Sequence, residues 1–254
     1  MKENRPKALV TGASSGIGKD IAIELSKKGY DIILVSRNTK ALEKVKLKIQ
    51  TNAEIVAMDL SQKENCYELY NKYKNIDILI NNAGLGDCGY FTETDVQKEI
   101  AMIDTNITAV HILSKLYIKN MKKKNKGIIL NTASIAGFMP GPLMATYYAT
   151  KAYVVRLSEA IREELKKEKS KVQISILCPG PVDTKFNEVA NVQFALQGLS
   201  SNYVAQYTVK KMLKGKFYIV PGWKIKVIRI GVKILPTSLI SKISYKVQRR
   251  KVIL

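Results

Sequence analysis

Lys7-Ala8-Leu9-Val10-Thr11-Gly12-Ala13-Ser14-Ser15-Gly16-Ile17-Gly18 is the stretch that decides how this chain folds. A short apolar run, Lys7 to Val10, gives way to a turn of small residues. An apolar-periodic stretch from Ile17 to Leu25 follows. The pattern predicts a strand, a tight turn and a helix. Glycines at 12, 16 and 18 let the backbone turn sharply and keep side chains away from the helix N-terminus. Free amides and the helix dipole favour an anion there, and a phosphate can approach closely. A Gly/Ser-rich loop without a ligand has the same composition, so this segment alone speaks for the fold and not for a function.

Outward from it, the same grammar repeats. A second strand, Asp31 to Val35, ends in Ser36-Arg37-Asn38; a third, Glu54 to Ala57, ends in Met58-Asp59-Leu60. A fourth, Ile76 to Ile80, ends in Asn81-Asn82-Ala83-Gly84. Further on, Gln173 to Leu177 leads into Pro179-Gly180-Pro181-Val182-Asp183-Thr184, and Phe217 to Val220 ends at Pro221-Gly222. Strands and helices alternate about every 25 residues, which predicts an α/β fold with one doubly wound parallel sheet. Ligands of such sheets sit at the carboxyl ends of the strands, where all these motifs fall.

An acidic residue at the end of the second strand would bind ribose hydroxyls and repel a 2′-phosphate. Here Ser36 and Arg37 offer a hydroxyl and a cation instead, which favours NADP(H) over NAD(H). A single solvated Arg37 is the plainer alternative. Asp59 offers a carboxylate to an adenine amino group, and Asn82, Ala83 and Gly84 let a dinucleotide lie close to the backbone.

Chemistry enters with Tyr147 and Lys151, four residues apart in Tyr147-Tyr148-Ala149-Thr150-Lys151, with Ser134 thirteen residues upstream of the tyrosine. Positions i and i+4 share one helix face. An ammonium there stabilises a phenolate, and bringing a tyrosine from a pKa of about 10 to neutrality takes roughly 4 kcal/mol. On its own the pair equally describes a lysine stem packed beside a half-buried tyrosine. Tyr148 has no such partner, because Ala152 stands four residues on. His111, the single histidine, falls on a helix with nothing to make it a metal ligand or triad member.

Together, Thr11-Gly12-x-x-x-Gly16-x-Gly18, Asn81-Asn82-Ala83-Gly84, Asn106, Ser134, Tyr147-x-x-x-Lys151 and Pro179-Gly180 resemble the short-chain dehydrogenase/reductase family, over residues 7 to about 222. The resemblance implies a Rossmann-type sheet of about seven strands and a hydride reaction at a carbonyl. Tyr147 would be the general acid or base, and Lys151 would lower its pKa and hold the nicotinamide ribose. Ser134 would bind the substrate carbonyl, and Asn106 would position a water in a relay to Lys151. The cofactor would lie on Gly12, Ser14, Ser15, Gly16, Ile17 and Gly18, on Ser36, Arg37, Asp59, Leu60, Asn82, Ala83 and Gly84, and on Tyr147, Lys151, Pro179, Gly180, Val182 and Thr184. A homodimer built on the helices carrying Asn106 and Tyr147 is the implied assembly.

Composition sets bounds. At 254 residues the catalytic portion is one domain, with no linker or repeat. Cys66, Cys88 and Cys178 are odd in number and lie in no metal-like spacing, so they read as reduced thiols in a cytoplasmic protein without a metal. Met1 to Lys7 does not read as a signal peptide, and no apolar run is long enough to span a bilayer. The net charge of +21 comes without any nucleic-acid-binding signature. Runs such as Lys122-Lys123-Lys124 and Lys166-Lys167 fall at helix ends, where cations complement the dipole.

The exception is the tail. Residues 1–222 make the expected NADP(H)-binding catalytic domain, and the 32 residues from Trp223 to Leu254 form an extension with nine cations and no acid. Ile225, Ile228, Val232, Leu235, Leu239 and Ile243 follow helical steps interrupted by Pro236, which predicts two amphipathic helices. Capping the cleft or packing on a second subunit is the first expectation for them, and peripheral contact with anionic lipid the second.

The segment 185–205, with Phe186, Phe194, Leu196 and a hinge at Gly198, reads as a substrate lid. With Gly137 to Met144 it implies an apolar cleft and a small hydrophobic carbonyl or alcohol substrate. A 3-oxoacyl thioester reductase is the alternative chemistry, and a non-catalytic NADP(H)-binding sensor or scaffold the alternative class.

Overall fold

The computed structural model describes residues 5–186 and 198–249. The strands are β1 (Lys7–Thr11), β2 (Asp31–Ser36), β3 (Ala53–Ala57), β4 (Ile78–Asn81), β5 (Ile128–Thr132), β6 (Gln173–Leu177), β7 (Val182–Asp183), β8 (Leu199–Ser200) and β9 (Tyr218–Ile219). Seven of them form a parallel sheet in the order β3-β2-β1-β4-β5-β6-β9, while β7 and β8 pair apart from it. The central strands β1, β2 and β4 are apolar on both faces because both are covered. Ala8, Val10, Ile32, Leu34, Ile78, Ile80 and Leu130 point to one side, against α1 (Gly16–Ser26) and α7 (Ser201–Met212). Leu9, Ile33, Val35, Leu79, Ile129 and Ile176 point to the other, against α3 (Lys63–Lys72), α5 (Ala109–Lys123) and α6 (Ala145–Lys167).

β1 lies between β2 and β4, so the chain winds first to one side and then to the other. The loops leaving β1 and β4 therefore diverge and open a crevice at the strand ends. Across the sheet, α4 (Val96–Ile103) passes through a π turn, Asp104–Thr108, into α5. Asn106 stands in that turn. α5 and α6 carry Lys122, Lys123, Lys166 and Lys167 in their last turns, where the dipole favours them.

The tail forms two helices broken at Pro236, α8 (Trp223–Ile234) and α9 (Thr237–Arg249). Their inward face is not the stripe that the periodicity suggested. Ile225 and Ile240 are buried, whereas Ile228, Leu235, Leu239 and Ile243 are exposed. The reason is the surface that receives α8. Ile225 sits over Gly180, where an added Cβ would meet its Cδ1 at 2.3 Å. One turn on, the Arg229 guanidinium stacks 3.6 Å from the Tyr218 ring centroid and 5.0 Å from that of Phe138. An arginine on aromatic faces thus takes an inward place that an aliphatic was expected to fill. Of the expected lid, Phe194 and Leu196 lie outside the described residues.

Candidate active site

At the turn after β1, Gly12 has φ +64° and Gly16 φ +55°, a region that costs any other L residue. Ser15 is the N-cap of α1 but makes no side-chain capping bond, and no acidic residue occupies the first turn. The helix N-terminus is thus left for an external anion. Gly18 serves differently. A Cβ there would fall 2.4 Å from both Gly12 O and Asn82 Nδ2, so its role is close packing of α1 against the turn, and it does not line the cleft.

Thr11 holds the turn to the end of β4. Its Oγ1 donates to Ile80 O at 3.2 Å and accepts from the backbone N–H groups of Asn82 and Ala83 at 2.9 and 3.0 Å. These bonds fix two strand-end motifs some seventy residues apart as one wall. Beside it opens a cleft of about 500 Å³. Ser14, Ser15, Ile17, Ser36, Arg37, Asp59, Leu60, Asn82, Ala83 and Gly84 line one arm, together with Gly12 and Gly16. Ser134, Tyr147, Lys151, Pro179, Gly180, Val182 and Thr184 line the other. Of the expected site residues, only Gly18 and Asn106 stand behind the wall.

In the first arm, Ser36 Oγ donates to Ser14 Oγ at 2.9 Å, and Arg37 Nη1 is 3.8 Å from Asp59 Oδ2. Both members of that ion pair are exposed, so it is weak and the guanidinium can exchange its partner for a stronger anion. Asn38 is committed elsewhere, its Oδ1 capping α2 (Thr39–Lys46) through Ala41 N at 2.9 Å.

In the second arm, Ser134 precedes a short 3₁₀ turn, Ile135–Phe138. Its Oγ accepts from Ala136 N at 3.1 Å, donates to Pro179 O at 3.4 Å and lies within reach of the Tyr147 hydroxyl. Tyr147 is partly open to the cleft, yet burial of its hydroxyl pushes the pKa well above the usual tyrosine range; Ser134 opposes that shift and Tyr148 adds to it. Lys151 lies one turn on, its Nζ donating to Thr132 O at 3.0 Å and sitting 5.7 Å from the Tyr147 ring centroid. Burial lowers its pKa to about 8. Lys151 thus stands beside the phenol, where the i to i+4 spacing places it. In the protein alone desolvation is the largest influence on each group and disfavours both charged forms. The site as it stands keeps a neutral, protonated phenol.

Asn106 is fully engaged behind Gly84. Its Nδ2 donates to Leu85 O at 2.9 Å and to Thr150 Oγ1 at 3.0 Å, and its Oδ1 accepts from Leu85 N at 2.9 Å. It ties the Gly84–Leu85 loop to α6, the helix that carries Tyr147 and Lys151. The sequence reading missed Thr11, Thr132 and Thr150 as supports. Thr132 acts through its carbonyl, which no residue type can signal.

It also missed how far the tail reaches. Cys88, Leu143 and Met144 form a small apolar cluster with Tyr147, Tyr148, Phe186 and Tyr245 of α9. Gln248 Nε2 donates to the Tyr148 hydroxyl, and Tyr90 and Tyr245 pair their hydroxyls at 3.3 Å. His111 Nδ1 lies 2.7 Å from Tyr153 OH, a contact between α5 and α6 away from the cleft. Among the described residues no cluster of His, Cys, Asp and Glu is suited to a metal.

A family model described as short chain dehydrogenase matches residues 6–193. An uncharacterised oxidoreductase of Staphylococcus epidermidis is 35% identical over 185 residues, covering 71% of this chain and 80% of that one. A very-long-chain 3-oxoacyl-CoA reductase of Mycosarcoma maydis is 34% identical over 181 residues, covering 67% of this chain and 51% of that one. Among solved structures, a short-chain dehydrogenase from Sphingobium yanoikuyae in complex with NADPH superposes with TM-score 0.80 at 24% identity, covering 92% and 97% of the two chains. One from Burkholderia phymatum in complex with NAD gives TM-score 0.79 at 24% identity, covering 93% and 98%. At these identities the structural likeness speaks for the fold.

Proposed function

This chain belongs to the short-chain dehydrogenase/reductase family, enzymes acting on CH–OH and C=O groups, and on that premise we propose that it is an NADPH-dependent reductase of a hydrophobic carbonyl compound. The observation that carries the reading is the meeting of Ser134, Tyr147 and Lys151 in one cleft with an uncapped helix N-terminus.

The residues present fit a nicotinamide dinucleotide. The positive-φ glycines and the open start of α1 suit a pyrophosphate; Ser14, Ser36 and Arg37 suit a 2′-phosphate at the end of β2. Solved neighbours carry NADPH in one case and NAD in another, so the preference rests on this chain's own Ser36 and Arg37. When bound, the nicotinamide supplies the hydride. The protein supplies the rest. Tyr147, kept protonated by burial, gives its proton to the carbonyl oxygen as charge develops there, an effect worth about 10²–10⁴ in rate. Ser134, whose single O–H rests weakly on Pro179 O, would turn it to that oxygen as a second donor. Lys151, held on Thr132 O, would hold the nicotinamide ribose, and Asn106 keeps the Gly84–Leu85 loop against α6.

For substrate, the apolar cluster of Leu143, Met144, Tyr148, Phe186 and Tyr245 supports a hydrophobic ketone. A 3-oxoacyl thioester is the second reading, favoured by the Mycosarcoma relative and by a net charge of +21 that would attract a polyanionic carrier. Residues 1–222 form the catalytic unit in this reading and 223–254 an extension. A homodimer through the helices bearing Asn106 and Tyr147 is supported by exposed Val96 and Ile100 on α4.

The test is fluorescence titration of NADPH and NADH into wild type and Arg37→Ala, with Tyr147→Phe assayed on a panel of ketones and 3-oxoacyl-CoA esters. NADPH affinity should fall about tenfold in Arg37→Ala with NADH unchanged, as for loss of one charged contact to phosphate. Tyr147→Phe should lose turnover by about 10²-fold or more while still binding cofactor. Equal affinities for the two cofactors would refute the phosphate role of Arg37, and persisting turnover would refute the acid role of Tyr147.

A further inference from the structure

The tail helices use one side to dock on the enzyme, which leaves their other side to be accounted for. On α8, Trp223, Val227, Ile230 and Ile234 succeed one another at steps of four, three and four, so they share a face. That face points away from the protein: the four residues are 70, 59, 60 and 77% exposed. It lies opposite Ile225 and Arg229, which hold the helix down. Lys226 and Lys233 flank the stripe on one side and Lys224 on the other, all exposed. α9 continues the surface with exposed Leu239, Ile243 and Val247 beside exposed Lys242, Lys246 and Arg249.

Two features of this surface choose its occupant. The segment 223–254 has nine cations and no acid, so its complement is anionic. Its outward residues also include a tryptophan and branched aliphatics, which an anionic soluble partner such as nucleic acid would leave in water. An apolar stripe fringed by lysine with a tryptophan at one end is the pattern of a helix lying in a bilayer interface. Neither helix spans, for no helix among the described residues is long and apolar enough to cross a membrane. We propose that α8 and α9 seat this protein flat on an anionic lipid surface, with Trp223, Val227, Ile230 and Ile234 in the acyl boundary and the lysines at the headgroups. The inner side of the same tail packs, through Tyr245 and Gln248, on Tyr148 of the cleft wall, so the site would lie close to the phase in which a hydrophobic substrate is dissolved.

The full-length protein is mixed with vesicles of phosphatidylcholine alone, or with about one third phosphatidylserine, and followed by co-sedimentation. Trp223 is the only tryptophan, so its emission reports the contact directly. Expected are binding to the anionic vesicles with a blue shift of Trp223, and weakening by salt. Ile230→Glu/Ile234→Glu, and separately Lys224, Lys226, Lys233, Lys242 and Lys246→Gln, should each reduce partitioning about tenfold or more. Cofactor affinity and thermal midpoint should hold, because these side chains are exposed. No binding to anionic vesicles at low salt would overturn the proposal, as would equal binding by both variants. So would a wild type that ignores vesicles but forms a dimer that Ile230→Glu/Ile234→Glu dissociates, for the stripe would then cover a second copy of the chain.

Discussion

The two arms of the cleft are built in opposite ways. The arm proposed for the cofactor is assembled from strand ends, each a short local motif, and pinned by bonds such as those from the Asn82 and Ala83 amides to Thr11 Oγ1. The arm proposed for the substrate is walled by Met144, Tyr148 and Phe186, with Cys88, Tyr245 and Gln248 packed behind them, side chains far apart in the sequence. In the first, a parallel sheet fixes where each loop emerges, so spacing alone carries the geometry. In the second, nothing local fixes the meeting point, and packing of the tail decides it. The cofactor arm should therefore fail sharply when one position changes, and the substrate arm should shift by degrees.

The largest effect expected concerns charge at Lys151, in the arm that carries Tyr147. In the unfolded chain this lysine titrates near 10.5, and in the fold burial lowers it to about 8. Between those values the unfolded chain holds a proton that the folded one has released, so this group's contribution to stability rises with pH. The full span is worth up to about 3 kcal/mol. Urea unfolding of wild type and Lys151→Met from about pH 7.5 to 9.5 measures it; tyrosines that begin to ionise at the upper end do so in both proteins and cancel in the comparison. The variant should be the more stable protein at the low end and lose that lead as pH rises. A lead that stays constant would mean that Lys151 keeps its charge in the fold, and that a local cation does act on Tyr147 before any ligand arrives.

Gly18→Ala comes next. The added methyl would lie 2.4 Å from a backbone oxygen, Gly12 O, which cannot swing aside as a flexible side chain would. Overpacking of this kind costs about 2 kcal/mol, or about 4–8 °C in Tm for a chain of this size. Cofactor affinity should fall with it, because the same shift moves α1 away from the turn. Calorimetry and NADPH titration on one sample distinguish the cases. An unchanged midpoint would show that α1 is held less rigidly than the sheet arm requires.

That contrast also explains what could be read in advance. The strands that end at or just before Thr11, Ser36, Asp59 and Asn82 were legible because an apolar run ending in small or polar residues has few other uses. Gln173–Leu177 matched in full, and the break at Pro236 followed from the missing amide. The inward face of α8 was not legible. The helix carries two apolar stripes, one through Ile225 and Ile228 and one through Trp223, Val227, Ile230 and Ile234, and periodicity cannot rank them. The surface of Gly180, Phe138 and Tyr218 does so by accepting Ile225 and Arg229. The protonated state of Tyr147 was equally hidden, since the Tyr-x-x-x-Lys spacing gives distance along a helix and says nothing of the water around it.

The smallest effect tests whether the arms are independent. Gln248 is buried on α9 and donates to the Tyr148 hydroxyl, a contact across 100 residues of sequence. Gln248→Leu keeps the volume roughly and removes the bond, leaving Tyr148 with Ser244 as its remaining tail partner. The loss should be about 1 kcal/mol in stability. Tyr148 stands next to Tyr147 with ring centroids 6.1 Å apart, but it takes no part in the proposed proton transfer. A looser Tyr148 should therefore raise KM for a hydrophobic substrate a few-fold, about what a fraction of a lost hydrogen bond supplies, and leave kcat and NADPH affinity unchanged. If NADPH affinity fell in step with KM, the tail would be coupled through α6 to the cofactor arm. The cleft would then be one cooperative unit, and the division drawn between its arms would fail.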